Sequence, residues 1–130
     1  SQLKKLDKFI KARQKVFDVY KKELASLKEV VTPEITKNVV SANHIFIIRT
    51  ADHSKRSPLA NFLKQNRVGV NFHYPAVYSH PYYRRNGYNG LNLKNEDIYH
   101  NSCITLPLYV TLKNNQIKYI CNKIKEFFKP

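Results

Sequence analysis

Apolar residues recur at Leu3, Leu6, Ile10, Phe17, Tyr20, Leu24 and Leu27, in steps of three and four interrupted by Arg13. That spacing draws one stripe down a long helix, and Phe9, Val16 and Val19 widen it toward a helix packed on a domain rather than a narrow coiled-coil seam. Thr32-Pro33 closes the helical region, because proline disfavours helical geometry at the residue before it and lacks a backbone donor. A linker runs to Asn43. The HIFIIRT run from His44 to Thr50 then predicts a buried strand, rich in β-branched and aromatic residues. Asp52 to Lys55 form a polar turn. Ser57-Pro58, suited to the N-cap and first helical positions, predict a second helix to about Asn66, with Leu59, Phe62 and Leu63 on its apolar face.

Beyond Gly69 the pattern changes to alternation. Val70, Phe72 and Tyr74 alternate with Asn71 and His73, which predicts a strand with Val70 and Phe72 toward the core and Asn71 and His73 on the opposite face. Asn86 to Asn95 reads as a flexible loop, followed by a short helix around Glu96 to His100. Cys103 to Leu106 is a third strand, and Pro107 suits a sheet edge or strand end. The last helix gathers Ile117, Ile120, Cys121, Ile124, Phe127 and Phe128 on one face. The fold class is α+β, a small, mainly antiparallel sheet covered on one side by helices, with a long N-terminal helix leading in.

Length and charge narrow the picture. At 130 residues, 42% of them hydrophobic, the chain supports one core and not two. It has no run near the roughly 18 apolar residues of a membrane span and no signal-peptide pattern, so a cytoplasmic protein is expected. Cys103 and Cys121 lack the spacing of a disulfide framework, and both lie on apolar faces where a thiol is a poor nucleophile. The five histidines show neither HExxH nor CxxC companionship, so no metal site is expected. The formal net charge of +14 raises a nucleic-acid hypothesis. However, the cations are dispersed, in doublets such as Lys4-Lys5, Lys21-Lys22 and Arg84-Arg85, and no nucleic-acid-binding signature accompanies them, so solvated helix faces are the expected reading.

The chemistry concentrates in Val68 to Tyr88, which holds two histidines, five tyrosines and two arginines. Flat rings, hydrogen-bonding imidazoles and phenols, and fixed guanidinium charge suit a polyhydroxylated, phosphorylated ligand such as a sugar nucleotide. The same composition fits a loop whose tyrosines cover neighbouring elements.

His73-Tyr74-Pro75 and His80-Pro81-Tyr82-Tyr83 resemble the loop HYxPxHxxPYY of DegT/StrS-type sugar-nucleotide aminotransferases. Ser41 to Phe46 resembles that family's SxxHxY strand start, and Arg56, Leu59, Leu63 and Val68-Gly69-Val70 its RxxLxxxLxxxGI. Leu106 to Tyr109 is similar to its LPLYP, and Arg13, Tyr20 and Leu24 to its RxxxAxxYxxxL connecting helix. Five motifs in the family's order cover nearly the whole chain. At the positions of the loop's proline and second histidine this chain has Ala76 and Tyr78.

The resemblance implies a C-terminal piece of a fold-type I enzyme. Residues 1–31 would be the connecting helix and 32–130 the small domain, with the large cofactor-binding domain absent. In the full-length enzyme, expected to be a homodimer, glutamate would give its amino group to pyridoxal phosphate. The cofactor would then aminate a nucleotide-linked keto-sugar for cell-surface or secondary-metabolite polysaccharide biosynthesis. The cofactor's lysine, its acidic partner and its phosphate cup would lie on the large domain, so this chain alone would bind no cofactor, supply no catalytic residue and be inactive. It would shape the sugar end of the pocket, with His73 and Tyr74 foremost, Tyr78, His80 and Tyr82 next, and Arg84 attracting the diphosphate. His44 and Tyr83 are read as packing residues. The alternative is a free-standing basic interaction or nucleic-acid-binding module that keeps the fold without the chemistry.

Overall fold

A computed structural model describes residues 1–129. After a 3-10 turn at Gln2–Lys5, helix α1 spans Leu6–Leu24 and turns its apolar stripe onto the core through Val16, Phe17, Tyr20 and Leu24. Three strands follow the expected antiparallel pattern: β1 (Val30–Val31), β2 (Phe46–Thr50) and β3 (Cys103–Leu106), in the order β1-β2-β3. Helix α2 (Arg56–Gln65) and the last helix α5 (Asn114–Phe128) pack with α1 on one side of the sheet. The short helices α3 (Pro81–Arg85) and α4 (Lys94–Ser102) lie between α2 and β3 in sequence. The expected α+β architecture is what the chain adopts.

Phe46 sits at the centre of the core, fully buried on β2. The rings of Phe17 and Tyr20 stand 5.0 and 4.7 Å from it, edge-on and stacked. Tyr20 buries its ring but keeps its hydroxyl satisfied, donating to the Pro107 carbonyl at 2.9 Å. Removing from water pushes this phenol's pKa well above its ordinary value. Ile48 of β2, Ile104 and Leu106 of β3, and Ile117, Cys121 and Ile124 of α5 complete the same cluster.

Several boundaries differ from the expectation. The helix expected over 1–31 ends at Leu24, because Val30 and Val31 pair with Thr50 and Arg49 as an added strand. A run of Val-Val-Thr before proline favours extended backbone, and Val30 is buried in the core. The expected strand over Val70–Tyr74 contracts to a single bridge between Asn71 and Thr105. Beside that bridge the Asn71 side chain accepts from the Phe72 N–H at 2.8 Å, a local bond of the kind that competes with regular extended structure. Helix α2 starts at Arg56, after a 3-10 turn capped by Asp52, whose carboxylate accepts from the Ser54 N–H at 2.9 Å. Pro58 still falls within the helix's first turn, where its missing donor costs nothing. The stretch after His80 is a short helix with Pro81 at its first position.

Cys103 and Cys121 are free and buried. Burial raises both thiols, Cys121 to about 12, with the Glu23 carboxylate adding to the effect. Native protein at pH 8 is therefore expected to leave both thiols almost unlabelled by a disulfide reagent, with both reacting once the chain is unfolded. Rapid labelling of Cys121 in native protein would contradict its place in the α1–α5 seam.

Candidate functional site on the outer face of the sheet

Alternation along β2 divides its side chains between two faces. Phe46, Ile48 and Thr50 are buried, whereas Ile47 and Arg49 are half-buried on the side away from the core. Register carries that outer face onto β3, where Ile47 pairs with Thr105 and Arg49 with Cys103. Two clefts open on it. One of about 670 Å³ is walled by residues that include His44, Ile45, Ile47, Arg49 and Tyr99. The other, of about 380 Å³, shares His44 and Ile45 with the first and adds Asn71, His73 and Thr105.

His73 is held here by its ring: Nδ1 lies 2.8 Å from the Thr105 hydroxyl. The residue before it is braced as well. The Arg56 guanidinium carbon sits 3.8 Å from the centroid of the Phe72 ring, while its Nε donates to the Cys103 carbonyl at 3.1 Å. One arginine at the start of α2 thus ties the 71–73 segment to the start of β3.

Tyr74 and Tyr78 belong to a separate groove of about 580 Å³, together with Leu93, Glu96, Tyr99 and His100. Tyr78 donates its phenol proton to the Asp97 carboxylate. That bond to a charged acceptor, followed by partial burial and the nearby Asp97 and Glu96 charges, pushes the phenol to about 12. Tyr99 lines both this groove and the 670 Å³ cleft, so the two meet along α4. His100 keeps Nδ1 buried without a hydrogen-bond partner among the described residues.

The remaining expected residues lie elsewhere. His80, Tyr82 and Arg84 are exposed at and on α3 and line none of these clefts, although the Tyr82 ring meets Tyr83 at 5.3 Å and Tyr83 meets Tyr88 at 5.7 Å. The candidate set therefore divides into His73 on the sheet, Tyr74 and Tyr78 in the groove, and an aromatic cluster outside. His44 is exposed and borders both sheet-face clefts, which corrects its reading as a packing residue. Its place at the mouth of β2, before the alternation begins, frees it from the core. Tyr83 packs edge-on against Tyr82 and Tyr88. Thr105, Arg49 and Asp97 were not anticipated. A hydroxyl inside the otherwise apolar run Ile104 to Leu106 was the available signal for Thr105.

No lysine lines any of these clefts. Pyridoxal phosphate needs an imine-forming lysine, an acid facing its ring nitrogen and a phosphate cup. The residues of this face do not fit that covalent cradle. They suit contact with a neutral or anionic ligand through imidazole, hydroxyl, phenol and guanidinium groups.

The chain belongs to the DegT/DnrJ/EryC1/StrS aminotransferase family, whose model matches residues 1–125. It is similar to a GDP-perosamine synthase of Vibrio cholerae, 32% identical over 130 residues that cover 98% of this chain and 35% of that protein. The spore coat polysaccharide biosynthesis protein SpsC of Bacillus subtilis is 24% identical, over 98% of this chain and 34% of its own. Among solved structures, Helicobacter pylori PseC, an aminotransferase involved in the biosynthesis of pseudoaminic acid, superposes with a TM-score of 0.90. That match covers 98% of this chain and 35% of the other at 19% identity, a likeness of fold. The chain thus spans about a third of the length of the curated relatives it matches.

Proposed function

We propose that this chain is the C-terminal, substrate-side domain of a pyridoxal-phosphate-dependent sugar aminotransferase, with residues 1–31 joining it to a larger cofactor-binding domain. The full-length enzyme transfers an amino group from glutamate to a keto-sugar carried on a nucleoside diphosphate, for polysaccharide biosynthesis in the cytoplasm, and works as a homodimer. Pyridoxal phosphate supplies the electron sink when bound, on groups outside this chain. The observation that carries this reading is the sheet face, where His73, Thr105, His44 and Arg49 stand around clefts free of lysine in a chain of the aminotransferase family. Such a face offers hydrogen bonds to sugar hydroxyls and one fixed positive charge, and leaves covalent chemistry to another domain. Tyr74 and Tyr78 extend the same wall across Tyr99, while His80, Tyr82 and Arg84 stand exposed outside the clefts. Arg84 is the group that would meet the diphosphate.

The test uses the full-length enzyme and separates its two half-reactions. His73→Ala and Tyr74→Phe are expected to leave the half-reaction with glutamate at its wild-type rate. Amination of the keto-sugar should fall, since one lost hydrogen bond in the transition state is worth on the order of 1 to 3 kcal/mol, or roughly five- to a hundredfold. Arg84→Ala should mainly raise the Michaelis constant for the sugar nucleotide. Wild-type kinetics in both loop variants would make the wall a packing feature. The net charge of +14 supports the competing reading of a basic interaction module. It would gain if neither half-reaction occurred while the protein bound a single-stranded oligonucleotide with steep salt dependence.

A further inference from the structure

Thr105 is 6% exposed, on a strand whose four residues are all buried. On the outer face it stands between apolar Ile47, across the strand pair on one side, and polar Asn71, opposite it on the other, with Cys103 two residues before it. Valine would fill that position with similar shape and equal strand preference. A hydroxyl buried there needs a partner, and the structure gives it one, the Nδ1 of His73 at 2.8 Å. The backbone of Thr105 holds the same segment by a second route. Its N–H donates to the Asn71 carbonyl at 2.8 Å, and its carbonyl accepts from the Asn71 N–H at 3.2 Å. With Phe72 braced on Arg56, residues 71, 72 and 73 are each pinned from the sheet or from α2.

We propose that Thr105 is the positioning residue for His73, its hydroxyl holding Nδ1 so that Nε2 is the ring nitrogen that meets the sugar. This rests on the reading of His73 as a substrate contact. The two ring nitrogens are chemically linked: an Nδ1 that accepts from the hydroxyl leaves an N–H at Nε2, and an Nδ1 that donates leaves a lone pair there. Thr105 therefore fixes the direction of the ring, and the role its hydroxyl takes at Nδ1 is coupled to whether Nε2 offers the ligand a donor or an acceptor. A valine would leave Nδ1 to bulk water and free the ring to rotate and to exchange tautomers.

The experiment is a double-mutant cycle in the full-length enzyme, with a panel of GDP-, UDP- and dTDP-linked keto-hexoses as probes. Thr105→Val is expected to slow sugar amination roughly five- to tenfold while the glutamate half-reaction and the unfolding midpoint stay close to wild type. Thr105→Ser should restore most of the rate. Combining Thr105→Val with His73→Ala should cost no more than His73→Ala alone, because the hydroxyl acts only through the ring. Ring nitrogen shifts of His73 should report one tautomer in the wild type and the serine variant, and an exchanging mixture in the valine variant. Should Thr105→Val lose its fold, Thr105→Ala takes its place in the cycle. If His73→Ala slows amination but the hydroxyl-free variant does not, or if their costs add, Thr105 has no positioning role and the reading of the loop survives. If His73→Ala has no effect, the reading of the loop fails first and the inference goes with it.

Discussion

Incubated with pyridoxal phosphate and glutamate, the 130-residue chain is expected to form no saturable adduct at a single lysine and to convert no amino donor. The reason is spatial. The clefts that carry the imidazoles, hydroxyls and guanidinium of the sheet face contain no lysine. The lysines along α1, such as Lys8, Lys11, Lys15 and Lys22, are exposed. An exposed amine forms reversible adducts with any aldehyde, but such a solvated helix surface offers no enclosed pocket to hold the cofactor's ring and phosphate in place. Peptide mapping after borohydride reduction should show scattered, substoichiometric labelling that rises with cofactor concentration without a plateau. One lysine labelled to completion, together with turnover, would overthrow the proposed division of labour between this chain and a larger cofactor-binding domain.

Replacing Phe46 with alanine is expected to cost about 3–5 kcal/mol, the range for emptying a large aromatic site in a closed core. Phe46 is fully buried and flanked by Phe17 and Tyr20, so no side chain can relax into the space without breaking the stack or the hydroxyl bond to Pro107. Against a typical margin of about 5–15 kcal/mol that is a large fraction of the stability, and the melting midpoint should fall by roughly 10–20 °C. Ile47→Ala, one residue along but on the half-buried face, should cost far less, about 1 kcal/mol. Denaturant unfolding of the two variants side by side measures the contrast. Equal losses would mean that the core does not lie on the Phe46 side of the sheet.

Periodicity made most of the architecture legible. The apolar runs of β2 and β3 and the face of α5 each reflect burial, and burial is what a pattern of apolar positions records; the division of β2 between two faces emerged only in the structure. β1 escaped because two residues carry no period. Val30 and Val31 become a strand through pairing with Thr50 and Arg49, a partner remote in sequence. The short helix at Pro81 escaped because it buries nothing. At the site, His73 was legible from its motif, and its side of the strand from alternation. Thr105 was not, since a threonine in a strand is ordinary until the ring above it is known. Tyr82 and Arg84 carried the right chemistry in the sequence, but the turn at Val77–Ser79 and the helix after it lead them away from the sheet.

The two faces of β2 also limit how this domain can change in length. Phe46 and Ile48 build the core while Ile47 and Arg49 border the clefts, so both duties are read from one strand with a period of two. One residue gained or lost between His44 and Thr50 would exchange the faces, sending Arg49 inward and Phe46 out. Stability and ligand contact would fail together, and no later substitution at a single position could restore either one. The exposed stretch between α3 and α4, with Gly87 and Gly90 at positive φ, carries no such double reading and can lengthen without touching the sheet. Variation in the length of this domain is thereby channelled into the segment beside the groove, where it would alter the groove's rim and leave the wall behind it unmoved.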